Sequence, residues 1–175
     1  MEVTIRRART TDVRAVRALI DAYSRDGILL DKPTVTLFES VQEFWVAERD
    51  DTGTVVACGA LHVMWEDLAE VRTLAVDPSC KGLGLGHLLL EKLLQTARWL
   101  GIRRIFCLTF EVAFFAKHGF VEIEETDDRT SDPAAVATEV YEELLRSYDE
   151  GVAEFLDLER VKPNTLGNSR MLLRL

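Results

Sequence analysis

The sequence has few cysteines and no pattern among them that would hold a metal. Its 175 residues include three cysteines, Cys58, Cys80 and Cys107, which are widely spaced and form no Cys-x-x-Cys pair. An odd number of scattered thiols is typical of free cysteines in a reducing compartment and argues against a zinc knuckle. The three histidines also lack the spacing of metal ligands. We therefore expect no metal site and a cytoplasmic location.

Long apolar runs are also missing. No run approaches the ~18 consecutive apolar residues that a membrane-spanning helix needs. The first twelve residues, MEVTIRRARTTD, alternate apolar and polar side chains, so we expect no signal peptide. There is no internal repeat, no low-complexity tract and no linker long enough to divide the chain, which predicts one domain over residues 1–175.

Positive charge is scarce. Lysine and arginine number 21 against 30 aspartates and glutamates, which gives a net charge of −9. Nucleic acids and anionic membranes bind mainly through basic patches, so neither is an expected partner. An acidic small molecule would be repelled as well, unless a pocket gathers cations around it.

The apolar pattern predicts a mixed α/β domain. Alternation predicts strands at 3–7, 44–48, 55–65, 70–76, 105–109, 121–124 and 171–175. Helical periodicity predicts helices at 13–23, 37–43, 83–100 and 112–118, and a last helix from about 134 to 148 or beyond. Asp50–Gly53 has the composition of a hairpin turn, and Gly101 ends the longest helix.

A glycine-rich turn follows the strand that ends at Val76. Residues 81–86 read KGLGLG and lead directly into the longest predicted helix. Closely spaced glycines let the backbone approach a ligand, and the positive end of a helix favours an anion. The segment therefore predicts a phosphate or pyrophosphate site, although a tight turn without a ligand would use the same residues.

Two known phosphate-binding patterns do not fit this turn. The dinucleotide pattern G-x-G-x-x-G would need glycine at position 87, where the sequence has His87, and it normally follows the first strand. The P-loop needs Gly-Lys-Ser/Thr, which is absent. The segment resembles instead the [QR]-x-x-G-x-[GA] turn of the GNAT acetyltransferases, with Lys81 in place of arginine or glutamine.

Two further segments strengthen this resemblance, which covers nearly the whole chain. Residues 69–78, AEVRTLAVDP, resemble the fourth GNAT strand, and residues 114–120, FFAKHGF, resemble the family's F-Y-x-x-x-G-F segment. The resemblance implies a single GNAT-like α/β domain with a mixed central sheet, flanking helices and a splayed pair formed by the fourth and fifth strands. It also implies acetyl-CoA as the acetyl donor, no metal, and a homodimer.

The resemblance also implies roles for individual residues. The expected acetyl-CoA contacts are Leu74, Ala75, Val76, Lys81, Gly82, Leu83, Gly84, Leu85, Gly86, His87 and Phe115. Glu70 holds the position of the usual glutamate base and would act through a water molecule, and the amide of Leu74 or Ala75 would polarise the thioester carbonyl. Phe115 occupies the position where many relatives have a tyrosine that protonates the thiolate. The CoA thiolate would therefore leave unassisted or with the help of water.

Looser similarities point to the acceptor. Residues 27–32, 43–48 and 168–173 resemble parts of the acetyltransferase domain of N-acetylglutamate synthases. This resemblance implies transfer to the α-amino group of L-glutamate, the first step of arginine biosynthesis. Those synthases also carry an amino-acid-kinase domain, for which this chain has no room, so we expect a short stand-alone form.

Glutamate has two carboxylates, so its pocket needs cations. The candidates are Lys32, Arg72 and Arg170, and Arg72 is expected on the same strand face as Glu70. Each of the three could equally be a solvated or ion-paired residue.

Two other functions stay open: acetylation of another amino acid or a peptide amine, and a non-catalytic acyl-CoA-binding module that uses the acidic segment 138–154 as a partner surface.

Overall fold

The computed structural model describes residues 1–29, 31–123, 135–158 and 168–175. Within these residues its strands are β1 (Val3–Arg7), β2 (Phe44–Arg49), β3 (Val55–Trp65), β4 (Leu68–Val76), β5 (Arg104–Thr109), β6 (Val121–Glu122) and β7 (Ser169–Arg174). Its α-helices are α1 (Val13–Ser24), α2 (Thr34–Glu39), α3 (Leu85–Leu100), α4 (Val112–Ala116), α5 (Thr138–Leu144) and α6 (Glu150–Phe155).

The seven strands of the described residues form one mixed sheet in the order β1-β2-β3-β4-β5-β7-β6. β1 with β2, β2 with β3, β5 with β7 and β6 with β7 are antiparallel, whereas β4 and β5 are parallel. The parallel register joins Leu68–Glu70 to Arg104–Phe106 and ends there, although both strands continue. The structure confirms the predicted α/β class and the mixed sheet. The pairing of β4 with β5 is as limited as a splayed strand pair requires.

The chain divides into two compact units, and the first contains residues 1–62 and 71–101. Two apolar clusters form its core because successive residues of a strand point to opposite faces. Val46 and Cys58, which are paired, belong to the cluster that includes the apolar side of α1. Ala47 and Ala57 belong to the cluster that includes Leu85 and Leu89 of α3.

The second unit contains residues 63–70 and 102–175. In its core, apolar residues of the sheet pack against the two acidic helices, α5 and α6. The buried residues of this cluster are Met64, Leu68, Phe106, Ile123, Leu144, Val152, Phe155 and Leu172. The rings of Phe106 and Phe155 pack edge to face, with centroids 5.5 Å apart. This packing attaches α6 to the sheet face formed by β5 and β7.

The prediction of one helix from about 134 to 148 or beyond is wrong in its extent and continuity. The structure has two short helices, α5 and α6, and α5 ends at Leu144. The break has a local cause, because the Asp149 side chain accepts hydrogen bonds from the amides of Gly151 and Val152 and so caps the start of α6. Residue 134 and the predicted loop 125–133 lie outside the described residues.

Several other boundaries differ by a few residues. The helix predicted at 37–43 is α2, which begins at Thr34, followed by a 3₁₀ turn at Val41–Glu43. α3 begins at Leu85 instead of residue 83, and α4 ends at Ala116 instead of residue 118. β4 begins at Leu68, two residues before the predicted start, and the last strand is Ser169–Arg174.

Candidate active site

In the first unit, the end of β4 is followed by a tightly folded turn. The Asp77 carboxylate accepts hydrogen bonds from the amide and the hydroxyl of Ser79, at 2.8 and 2.6 Å. Hydrogen bonding to the ionised carboxylate lowers the pKa of Asp77. Cys80, at the end of the 3₁₀ turn Pro78–Cys80, is buried in the core beside α3. These contacts fix where the glycine-rich segment begins.

Two glycines of this segment have a backbone conformation that other residues rarely adopt. Gly82 and Gly84 have φ of +80° and +79°, and a Cβ built on either would meet no atom within 4 Å. Gly84 is the N-cap of α3 and offers no side chain to the helix. The first amides of α3 have no intrahelical acceptor, so they present donors and a positive dipole end to an anion.

The remaining residues of the glycine-rich segment differ in their exposure to solvent. Gly86 lies inside the first turn of α3, where it is half-buried, and is not among the glycines with positive φ. Leu83 and His87 are exposed, and Leu85 is buried against the sheet.

Lys81 has a defined position relative to α1. Its Nζ lies 5.0 Å from the centroid of the Tyr23 ring. The Tyr23 hydroxyl donates a hydrogen bond to the carbonyl of Val76, the last residue of β4. Tyr23 therefore connects the end of β4 to the ammonium group of Lys81. The position of Tyr23 in the apolar pattern of α1 does not reveal this contact.

β4 contains an irregularity just before its predicted CoA-binding residues. Thr73 is β-branched and buried, yet has φ of +57°, which is a strained conformation for such a residue. Strain of this kind is concentrated at functional sites, where it redirects neighbouring groups. The thiol of Cys58 donates to the Thr73 carbonyl at 3.6 Å.

The Cys58 thiol is buried under β4. Burial raises the pKa of Cys58 to about 12, while a backbone hydrogen bond from Ala75 opposes this shift. Cys58 therefore stays protonated at neutral pH.

Glu70 belongs to the second unit. It is 5% exposed, lies in β4 and pairs in register with Phe106 of β5. Burial, and then the negative charge of Glu70, raise the pKa of the Cys107 thiol well above its usual value. Cys107 therefore stays protonated at neutral pH.

Phe115 and Thr109 are also in the second unit. Phe115 is buried, and its ring packs edge to face with Phe114 and Phe120, with both centroid distances at 5.1 Å. The Thr109 hydroxyl accepts a hydrogen bond from the amide of Glu111 at 2.8 Å. Thr109 thus stabilises the start of α4, and Phe115 has no proton to give to a thiolate.

The three predicted carboxylate-binding cations are divided between the units. Lys32 and Arg72 lie in the first unit, and both are half-buried. The Lys32 carbonyl accepts a hydrogen bond from Arg17, which also pairs with Asp21 and Asp31. Arg17 therefore attaches the loop that carries Lys32 to α1.

Arg170 lies on β7 in the second unit. Its Nη2 donates to the carbonyl of Phe155, and its Nε is buried without a hydrogen-bond partner among the described residues. Register places Arg170 opposite Leu108, on the same sheet face as Phe106 and therefore as Glu70. Within the second unit, Glu70 and Arg170 thus share one face of the sheet.

The second unit also contains a pocket of about 610 Å³ whose lining includes Trp65, Asp67, Arg104 and Val140. None of the predicted site residues lines it. In the described part of the chain, no group of three or more His, Cys, Asp or Glu side chains is placed to hold a metal ion. No helix in the same part is long and apolar enough to cross a membrane.

Comparison with known proteins decides the family. The model of the acetyltransferase (GNAT) family matches residues 14–120. The chain belongs to the GNAT acetyltransferase family. It is 59% identical over 170 residues to a Mycobacterium tuberculosis protein named amino-acid acetyltransferase. The aligned region covers 97% of this chain and 92% of the relative. The chain is accordingly an acyl-CoA-dependent N-acetyltransferase of the GNAT type.

Solved structures agree with this assignment. A Mycobacterium tuberculosis protein in complex with CoA and NLQ superposes with a TM-score of 0.88 at 59% identity, covering 98% of this chain and 99% of the other. An N-acetylglutamate synthase from Neisseria gonorrhoeae, complexed with coenzyme A and N-acetyl-glutamate, has a TM-score of 0.72 at 27% identity. This chain is covered completely by that match but spans only 35% of the synthase.

Proposed function

We propose that this GNAT enzyme transfers the acetyl group of acetyl-CoA to the α-amino group of L-glutamate, with residues 1–175 as the catalytic domain. The observation that carries the proposal is the 59% identity, over almost the whole chain, to a protein named amino-acid acetyltransferase. The choice of glutamate is supported by the likeness to the synthase complexed with N-acetyl-glutamate. No metal takes part in the proposed reaction.

The proposed CoA site is the end of β4 and the glycine-rich turn of the first unit. The first-turn amides of α3, the open space above Gly82 and Gly84, and the ammonium of Lys81 suit a pyrophosphate. The exposed residues Leu83 and His87, together with Gly86 and Leu85, complete this turn. Leu74, Ala75 and Val76 supply backbone groups for the pantetheine arm, and Phe115 supplies apolar contact.

The proposed chemistry needs one base and no protein acid. An α-amino group is largely protonated at neutral pH, so Glu70 removes its proton through a water molecule. The amide of Leu74 or Ala75 stabilises the negative charge on the thioester oxygen. The CoA thiolate leaves without a protonating tyrosine, because a thiol pKa of roughly 8–9 makes it an adequate leaving group.

The proposed acceptor site uses cations because glutamate brings two negative charges to a chain of net charge −9. Arg170 has a buried Nε with no protein acceptor in the described residues, so a ligand carboxylate would satisfy it. We assign Arg170 to the α-carboxylate, and Lys32 and Arg72 to the side-chain carboxylate.

The test is to incubate the enzyme with acetyl-CoA and each of the common amino acids in turn and to follow the release of free thiol. The proposal requires faster release with L-glutamate than with any other amino acid. Binding of CoA without thiol release on any amine would mean a non-catalytic module instead.

The same proposal includes a cytoplasmic homodimer that acts at the first step of arginine biosynthesis. It is supported by the resemblance to N-acetylglutamate synthases. Light scattering of the purified protein tests the dimer, and restoration of growth without arginine in a host that lacks its own synthase tests the pathway.

A further inference from the structure

The start of β7 contains two buried polar atoms that no described residue satisfies. Asn168 Oδ1 and Arg170 Nε have no hydrogen-bond partner among the described residues. Buried polar atoms are nearly always paired in native proteins, because leaving them unpaired is costly. Two of them, two residues apart at the entry of one strand, therefore point to a ligand that supplies the missing partners.

Both residues lie at the start of β7. Asn168 directly precedes the strand and Arg170 is its second residue. Extended backbone at this entry would place their Cα atoms about 6.7 Å apart and their side chains on one face. The intervening Ser169 donates instead to the Glu122 carboxylate of β6. Because Arg170 Nη2 is held by the carbonyl of Phe155, the direction of its Nε is fixed as well.

Register places Arg170 on the face that carries Glu70. Arg170 lies opposite Leu108, while Phe106 lies opposite both Glu70 and Leu172. Glu70 is therefore two strands from Arg170, about 9–10 Å across the sheet, and is offset from it by two residues along the strand direction. A small molecule held by β7 on this face is within reach of the proposed base.

The two unsatisfied atoms have complementary chemistry. An amide oxygen only accepts hydrogen bonds, and an arginine Nε only donates them. A dicarboxylic amino acid has N–H donors only on its α-amino group, and its carboxylates are acceptors. We propose that Asn168 binds the α-amino group of the acceptor while Arg170 binds the adjacent α-carboxylate; this inference rests on the proposed function and adds a specificity residue to it.

The choice of a neutral amide has a consequence for the reaction. An aspartate at this position would stabilise the ammonium form and raise the pKa of the bound amine, which opposes deprotonation by Glu70. Asn168 holds the same N–H group without adding a charge. It thereby orients the nitrogen and leaves its proton removable at neutral pH.

The experiment compares L-glutamate as substrate with glutarate as a competitive inhibitor, since glutarate has both carboxylates but no amine. Asn168→Ala should raise the KM for L-glutamate roughly ten-fold and leave the inhibition constant of glutarate unchanged. Arg170→Met should weaken both. Gln95→Ala, which removes an exposed amide on α3, should change neither value.

A second variant keeps the shape of the side chain. Asn168→Asp should shift the pH profile for glutamate acetylation to higher pH, whereas a purely structural residue would not move it. The inference is overturned if Asn168→Ala leaves the KM for glutamate unchanged, or weakens glutarate as much as glutamate. If the parent enzyme does not acetylate glutamate at all, the proposed function fails and this inference fails with it.

Discussion

Glu70 and Arg170 lie on the same face of the sheet in the second unit, two strands apart. The relationship follows from the register of β4 with β5 and of β5 with β7. One residue is a buried carboxylate, and the other is a guanidinium whose buried Nε has no partner among the described residues. The proposed base and the proposed carboxylate-binding group therefore share one face, as deprotonation of a bound amino acid requires.

Replacing Glu70 by glutamine tests the base. Glu70→Gln keeps the shape of the side chain but removes its basicity, so acetylation at neutral pH should fall by ~10²–10⁴-fold. The rate should partly recover as rising pH deprotonates the amine without help. Initial rates of thiol release across pH measure both effects.

The matched control for this variant is Glu142→Gln, which alters an exposed glutamate of α5 and should behave like the parent. If Glu70→Gln has the parent's rate and pH profile, Glu70 is not the base.

The proposed pyrophosphate site can be tested with two glycines of similar conformation. Gly84 and Gly53 have φ of +79° and +67°, and a Cβ on either meets no atom within 4 Å. Valine at either position should therefore cost similar stability through backbone strain. Only Gly84→Val places a side chain where the phosphates are proposed to lie, so it alone should lose acetyl-CoA affinity.

Isothermal titration of acetyl-CoA into both folded variants provides the measurement. Equal affinity in Gly84→Val and Gly53→Val would show that this turn does not bind CoA.

The proposed carboxylate-binding cations, Lys32, Arg72 and Arg170, predict how the enzyme discriminates between glutamate and glutamine as substrates. Removing the partner of a buried carboxylate should cost about 2–5 kcal/mol of binding. Arg170→Met should raise the KM for both amino acids, because both have the α-carboxylate. Lys32→Met or Arg72→Met should abolish most of the preference for glutamate, because glutamine has no side-chain charge.

The KM for acetyl-CoA should stay nearly constant in all three variants. Arg174→Met, on the same strand as Arg170, serves as the control. The acceptor pocket is misplaced if the parent prefers glutamate and none of the three variants changes that preference.

A partly buried ion pair near the N-terminus, between Arg6 and Asp12, predicts the acid stability of the first unit. Asp12 accepts hydrogen bonds from Arg6 at 2.7 and 3.0 Å and from the Arg9 amide at 2.7 Å. These contacts, with Arg6 first, lower the pKa of Asp12 below its usual 3.8. Because the folded-state pKa is lowered, the stabilisation is full above the unfolded pKa and is lost as the pH falls through the folded value.

Asp12→Asn should therefore reduce the free energy of unfolding at pH 7 by about 1.5–3 kcal/mol. The difference from the parent should shrink at pH values below about 4. Urea denaturation at neutral and acidic pH measures it, and a difference independent of pH would contradict the assignment.

Much of the fold and the CoA turn could be predicted from the sequence because their signals are local. β3 has its predicted bounds, Val55–Trp65, since eleven residues with a strong apolar pattern follow a recognisable turn. Gly101 ends α3 in the left-handed conformation that favours glycine. The helix break before α6 was missed because the Asp149 cap competes with a continuous helical pattern.

Other parts of the site depend on tertiary contacts that no local pattern reveals. A β-branched residue such as Thr73 would not be expected at φ of +57°. The hydrogen bond from Tyr23 to Val76 joins residues far apart in the chain. The unsatisfied oxygen of Asn168 is visible only once the burial of the strand entry is known.

The most direct test of the account is a competition among acceptors. The enzyme is given an equimolar mixture of the common amino acids with limiting acetyl-CoA, and the acetylated products are identified by mass spectrometry. Product ratios then report relative kcat/KM for each acceptor. The account predicts N-acetylglutamate as the main product, and a main product from an uncharged or cationic amino acid would contradict it.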